Sequence, residues 1–487
     1  MREQMYDLII IGGGPAGYHA AEGAAHEKMK VLLCEERKLG GVCLNEGCVP
    51  SKALLYSAKI FDYARGGGAR FGVTCERPIL DYAAAVRRKD GVVRQLAAGI
   101  EQGLKKDGVQ IVREHAVVAG RVSGGYAVRA GNEAYETAKL LLCAGSEALL
   151  PPIRGLRESI ERGFGMTNRE ILDIIEIPQH LVIVGGGVIG MEMASLFNSA
   201  GAEVTVIEML DKIAGPTDRE ISAILQKNYE KKGVKFLLNA KCTAVGLSDV
   251  TCEQDGKPQT IHCDKVLFSI GRRPVTRNLG LESIGVLTER ESVVTDERQQ
   301  TNIPGVYAAG DINGQSMLAH TAYREAEVAV NSMCGRKDRM DYGAIPSVIY
   351  TNPEVACVGE TLETAKEKGV KAAEQKLSMT YSGRYMAENE QGDGLCKLVW
   401  DGKRLIGVHM LGNPSSEIIS TASTFLSREI SLEQMKRVVF PHPTVAEILH
   451  QALYQRRDDS RLFKAVGKIV PSVGVQSPTE AESSRKR

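Results

Sequence analysis

Two stretches of the chain run apolar without interruption and then break on three glycines. Asp7-Leu8-Ile9-Ile10-Ile11 enters Gly12-Gly13-Gly14-Pro15-Ala16-Gly17, and Leu181-Val182-Ile183-Val184 enters Gly185-Gly186-Gly187-Val188-Ile189-Gly190. Short apolar runs bounded by turn residues predict strands buried on both faces, as in a parallel sheet. Each run is followed by a helical stretch and a second apolar strand ending in an acid, Glu35 after Val31-Leu32-Leu33-Cys34 and Glu208 after Val204-Thr205-Val206-Ile207. Glycines and acids are offset by the same 173 residues, so the pattern predicts one strand-helix-strand unit used twice.

Both turns read G-x-G-x-x-G, and each position has a physical reason. Gly12 and Gly185 make the tight turn, Gly14 and Gly187 admit a pyrophosphate to the backbone, and Gly17 and Gly190 let helix and strand approach. The helix N-terminus then offers N–H groups and a positive dipole end to the phosphates. Glu35 and Glu208 are placed to accept hydrogen bonds from ribose hydroxyls. One such motif is compatible with a plain turn, but two in full context predict two dinucleotide sites. A carboxylate at Glu208, with no arginine in residues 208–212, would repel a 2′-phosphate and favours NAD over NADP in the second site.

Between Glu35 and the next predicted helix lies Gly40-Gly41-Val42-Cys43-Leu44-Asn45-Glu46-Gly47-Cys48-Val49-Pro50-Ser51-Lys52. Cysteines five apart around a glycine, near a helix start marked by Pro50, can close a small disulfide ring, although two unrelated buried cysteines would also satisfy the spacing. Helix-terminal placement lowers a thiol pKa, and Lys52, four residues beyond Cys48, falls on the same helical face as a cation for a thiolate or a reduced cofactor. A dithiol in a protein that binds two dinucleotides suggests electrons moving between nicotinamide and disulfide. Nicotinamide passes hydride and a disulfide works through thiolates, so a flavin is the natural intermediary. This assigns FAD to the first fold and NAD to the second.

Thiol–disulfide exchange needs a proton acceptor, and histidine suits neutral pH. Among nine histidines, His442 stands in Phe440-Pro441-His442-Pro443-Thr444-Val445-Ala446-Glu447, its backbone restricted by two prolines and Glu447 within reach of its second ring nitrogen. An ordinary loop corner is the competing reading. His450 lacks the prolines and reads as a surface or packing histidine.

Composition narrows the class. The 487 residues allow about three or four domains at roughly 150 each. With 43% apolar and 25% charged residues and no apolar run long enough to cross a bilayer, no membrane association is expected. The 61 Lys plus Arg against 60 Asp plus Glu create no field to attract nucleic acid. MREQMYDLIII enters a strand at once, with no room for a signal peptide, which points to a cytoplasmic protein, a start that a processed organellar protein would share. The eleven cysteines are scattered, so most read as small buried hydrophobes, and no Cys/His spacing suggests a metal.

Taken together, GGVCLNEGCVPSKALL (40–55), GGGVIGMEMASLFNSAGAEVTVIEML (185–210), SIGRRPVTRNLGLE (269–282), VYAAGDINGQSMLAH (306–320), PSVIYTNPEVACVG (346–359) and FPHPTVAE (440–447) resemble the dihydrolipoamide dehydrogenases over roughly residues 5 to 465. The resemblance implies an α/β fold: an FAD domain (1–150) carrying the disulfide, an NAD domain (151–275), a central domain (276–345) and an α+β dimerisation domain (346–466); the polar stretch without aromatics beyond it (467–487) is expected to be a disordered tail. It implies that Cys43 is the interchange thiol, Cys48 the thiolate against the flavin, and Lys52 a flavin neighbour paired with Glu192. FAD contacts would be Asp311 at the ribityl chain, Met317, Leu318, Ala319 and His320 along the flavin, Glu35 at the adenosine ribose, Ala144, Gly145 and Ser146, and Ala116 where a glycine is usual. NAD contacts would be Gly185, Gly187, Val188, Ile189, Gly190, Glu192, Glu208, Gly271 and the backbone at Cys242. His442 and Glu447 would be the base pair, reaching the disulfide of the other subunit of a homodimer across a cis His442–Pro443 bond. The implied partner is a lipoyl-bearing acyltransferase or carrier protein.

Two departures from the family pattern matter. Glu46 stands inside the disulfide loop where an apolar residue is usual, and is expected to disfavour a neighbouring thiolate. Tyr381-Ser382-Gly383-Arg384 replaces the usual asparagine segment. The rival readings are a glutathione- or mercuric-reductase-like enzyme using NADPH, and a scaffold subunit with a structural flavin. Glu208 opposes the first reductase. A mercuric reductase would want a C-terminal cysteine pair, but the last cysteine is Cys396. Retention of Cys43, Cys48, Lys52, His442 and Glu447 together opposes the scaffold.

Overall fold

The computed structural model describes residues 5–389, 392–402 and 404–455. The expected tail, 467–487, lies outside the described residues.

The first apolar run forms β1 (Tyr6–Ile11), and the glycine turn leads into α1 (Pro15–His26) and back to β2 (Val31–Cys34), parallel to β1. The chain continues through α2 (Gly41–Glu46), α3 (Cys48–Asp62) and α4 (Tyr82–Lys106) to β3 (Gln110–Val112) and the antiparallel meander β4 (Ala116–Val122), β5 (Gly125–Ala130) and β6 (Glu133–Leu142). The far end of β6 joins β1 in parallel, and strand Val306–Ala308 adds to its other edge much later in the chain. The sheet order is therefore β3-β2-β1-β6-β5-β4. Central strands are buried on both faces, which explains their unbroken apolar sequence.

The second unit repeats this plan. Strands Lys235–Leu237, Glu203–Ile207, His180–Val184, Lys265–Phe268 and Gly165–Met166 lie side by side, all parallel, with a three-stranded meander over 240–262 inserted before the return strand. Helix Val188–Ala200 is buried along most of its length. Met191, Met193, Ala194 and Phe197 share one core with Leu54, Leu55 and Ala58 of α3, so the two nucleotide folds pack through the helices that follow the disulfide and the second glycine turn.

A third sheet is antiparallel, ordered Ser347–Ile349, Val355–Gly359, Arg404–Leu411, Leu395–Asp401 and Ala372–Ser378. Helices Ser415–Ser427 and Glu447–Tyr454 cover it through Ile418, Ile419, Ala422, Ile448, Leu449 and Ala452. The architecture is the expected α/β fold with an α+β C-terminal unit. Among the described residues no helix is long and apolar enough to cross a membrane. Burial pushes the thiols of Cys34, Cys242 and Cys396 up to about 12, in keeping with buried, inert cysteines.

Candidate active site

The two glycine turns share their backbone dihedrals at matching positions. Gly12 has φ +106° and Gly185 φ +103°, conformations that L side chains avoid. A Cβ on Gly17 would overlap the carbonyl oxygen of Gly12, and one on Gly190 that of Gly185. The acids match too. Glu35 accepts from the N–H groups of Gly13 and Arg37 at 2.7 Å each, and Glu208 from those of Gly186 and Leu210 at 2.7 and 2.8 Å. Burial raises the pKa of Glu35, and these hydrogen bonds oppose the rise.

A cavity of about 1200 Å³ runs from the first turn to the second fold. Gly12, Gly14, Glu35, Ala116, Ala144, Gly145, Ser146, Asp311, Met317, Leu318, Ala319 and His320 line it, as do Cys43, Cys48, Lys52, Val188, Ile189 and Glu192. Gly17 lies beneath the turn, and the remaining NAD-fold residues Gly185, Gly187, Gly190, Glu208, Gly271 and Cys242 lie outside this lining. Cys242 is buried on strand Ala240–Val245, opposite Cys252. The carboxylate of Asp311 accepts from the Ser146 hydroxyl. Burial raises its pKa, while Ser146 and Arg272 oppose the rise. Glycine turns with no room for a side chain, an acid hydrogen-bonded to each turn and the buried Asp311 carboxylate in the cavity fit a dinucleotide in each fold, the FAD and NAD that the family uses.

Cys43 and Cys48 are joined as a disulfide with Cα atoms 4.6 Å apart. Cys48 is the first residue of α3, at the expected helix start, and Cys43 lies within the short α2, an element the pattern did not predict. Gly40 and Gly41 at φ +94° and +57° turn the chain into α2, and Gly47, at φ −150° and ψ −102°, breaks it before α3. Lys52 reaches the second fold and donates to both oxygens of Glu192, at 2.8 and 3.0 Å. Its ammonium also lies 4.5 Å from the centre of the Tyr350 ring.

His442 and Glu447 are brought together, Nδ1 lying 3.0 and 3.2 Å from the two carboxylate oxygens, and the Thr444 N–H donates to the same carboxylate at 2.8 Å. Partial burial pushes the Glu447 carboxyl up, but the Thr444 and His442 hydrogen bonds hold it below its ordinary value. The His442–Pro443 bond is cis. The imidazole is 79% exposed and does not line the cavity of its own chain. His450 instead packs between Phe440 and Tyr454, with ring centroids 5.4 and 4.7 Å away.

Several residues of the site escaped the sequence reading. Arg272 donates to the Ser146 hydroxyl and carbonyl at 2.8 and 2.7 Å. Arg37 and Arg169 both pair with Glu46, so the carboxylate expected to burden the disulfide is compensated. In the 381–384 segment, Ser382 donates to the Thr444 carbonyl at 3.1 Å and ties that segment to the His442 loop. The only signal for these partners was the basic GRRP stretch and the departure at Glu46.

Residues 6–326 match the family model for pyridine nucleotide-disulphide oxidoreductases, and residues 345–453 match the dimerisation domain of the same family. Among curated relatives, dihydrolipoyl dehydrogenase 3 of Pseudomonas aeruginosa is 36% identical over 465 residues, covering 92% of this chain and 97% of its own. The mitochondrial dihydrolipoyl dehydrogenase of Homo sapiens is also 36% identical, covering 92% and 89%. Among solved structures, LpdA of Mycobacterium tuberculosis shares the fold at a TM-score of 0.82 and 24% identity, over 92% of this chain and 98% of its own. The HOCl-induced flavoprotein disulfide reductase RclA of Escherichia coli aligns at 0.81 and 25%, over 92% and 100%.

Proposed function

The chain belongs to the pyridine nucleotide-disulphide oxidoreductase family, and from that premise we propose that it is an FAD-dependent dihydrolipoyl dehydrogenase that oxidises protein-bound dihydrolipoyl groups with NAD⁺. The observation that carries the reading is the Cys43–Cys48 disulfide lining the same cavity as the first glycine turn and the Lys52–Glu192 pair.

The chemistry begins with a dihydrolipoyl thiolate attacking Cys43 Sγ, which breaks the Cys43–Cys48 bond and leaves Cys48 as thiolate. His442 takes the proton of the second substrate thiol. That sulfur then attacks the first, closes the lipoyl disulfide and releases Cys43, which recovers the proton. The substrate loses two electrons and the protein disulfide gains them. Glu447 fixes the imidazole and balances its charge while it holds the proton. Lys52 supplies a cation four residues from Cys48, and Glu192 holds that cation in place. Bound FAD supplies a two-electron relay between dithiol and nicotinamide.

The exposed His442 would act on the disulfide of a partner subunit, making a homodimer the active unit, consistent with the family's dimerisation domain at 345–453. We assign FAD binding to 1–150, NAD binding to 151–275, the central part to 276–345 and dimerisation to 346–466. The partner is a lipoyl-bearing acyltransferase or carrier protein, and the location cytoplasmic. The test is a steady-state comparison of dihydrolipoamide, glutathione and mercuric ion, each with NAD(H) and NADP(H). NADH formation from dihydrolipoamide supports the reading, and preference for NADPH with either other substrate overturns it.

A further inference from the structure

Glu46 lies inside the loop that the disulfide closes, yet two arginines from outside the loop hold its carboxylate. Arg37 donates at 2.6 and 3.3 Å and Arg169 Nε at 2.7 Å, while the Glu46 carbonyl accepts from Asn168 at 2.8 Å. The Glu46 side chain is only 14% exposed, so these charges meet in a partly dried setting where screening is reduced. Arg37 belongs to the turn that carries Glu35, and Arg169 to the segment leading into the second fold. One carboxylate thus ties the disulfide loop to both neighbours.

The disulfide is neutral, whereas the dithiol gains negative charge when Cys48 is a thiolate. A carboxylate in the loop opposes that charge and the arginines favour it, so the balance among the three sets how readily the disulfide accepts electrons. We infer that Glu46 is a positioning residue that, with Arg37 and Arg169, sets the reduction potential of the Cys43–Cys48 couple. This rests on the reading of that pair as the redox centre.

The test equilibrates the FAD-loaded protein in buffers of reduced and oxidised dithiothreitol. Reduction breaks the Cys43–Cys48 bond and closes the dithiothreitol ring. Two electrons pass to the protein, and the two reductant protons end on Cys43 and in solvent. Alkylation followed by mass spectrometry counts free Cys43 and Cys48. Glu46→Gln, which leaves the arginines uncompensated, is expected to shift the equilibrium toward dithiol by about fivefold, and Arg169→Gln to shift it by a similar factor the other way. Glu46→Asp should stay within about twofold of the parent. A merely structural role would move both neutralising variants in one direction, and that outcome, or no shift in either, overturns the inference. Flavin content reports folding, and Arg37→Gln replaces Arg169→Gln if the latter loses flavin. Should dihydrolipoamide fail to reduce the parent disulfide, the dehydrogenase reading falls, while opposite shifts in dithiothreitol would still uphold the role of Glu46.

Discussion

Both carboxylate oxygens of Glu192, on the helix that opens the second nucleotide fold, accept hydrogen bonds from the ammonium of Lys52, four residues beyond the disulfide. The Glu192 side chain is 5% exposed and that of Lys52 34%. Lys52→Met would leave a buried carboxylate without its cation. Breaking a fully buried pair costs roughly 3–5 kcal/mol, and the exposure of Lys52 reduces the expected loss to about 1–2 kcal/mol in urea unfolding. Dihydrolipoamide turnover should fall by about tenfold or more, since the cation that the helix carries into the cavity shared with Cys48 is gone.

The matched overlaps at Gly17 and Gly190 separate the two cofactor assignments. Gly17→Ala should displace the first turn and yield a protein with little bound flavin. Gly190→Ala should retain flavin but raise the KM for NAD by about tenfold or more, because only the second turn moves. Absorbance spectra and initial rates check both.

Glu208 accepts two backbone N–H groups and places negative charge at the end of its strand. Replacing it by Gln removes the charge at nearly constant shape. The ratio of kcat/KM for NAD over NADP should fall by about tenfold.

The depressed pKa of Glu447 has a definite consequence for stability. A carboxylate held below its unfolded value of about 4.3 contributes stability that is present above that value and is lost as pH falls through the lower, folded one. The difference in unfolding free energy between parent and Glu447→Gln should therefore shrink as pH falls below about pH 4. His442→Gln should lower turnover by about 100-fold or more, in the range of a lost general base.

Much of this site was legible before the fold was known, because the spacing rules act locally. The turn glycines, the acids ending the second strands, the cysteines around Gly47 and the His442–Glu447 pair all lie within a few turns of chain. The Lys52–Glu192 pair came from resemblance, since no local rule links residues 140 apart. Arg169 at Glu46, Arg272 at Ser146 and Tyr350 over Lys52 were missed because their partners are set by packing between units. The short α2 was missed because it depends on Gly41, where a Cβ would lie 2.6 Å from the Gly14 Cα, a tertiary contact.

The central claim, that substrate electrons enter through Cys43 and Cys48, is tested most directly by adding one equivalent of dihydrolipoamide anaerobically to the FAD-loaded protein without NAD⁺, trapping with an alkylating agent and mapping the labelled cysteines. The account predicts label at Cys43 together with one equivalent of lipoamide, and loss of lipoamide formation in Cys48→Ser. Lipoamide formed in equal yield by Cys48→Ser, or by the parent with neither cysteine labelled, would contradict it.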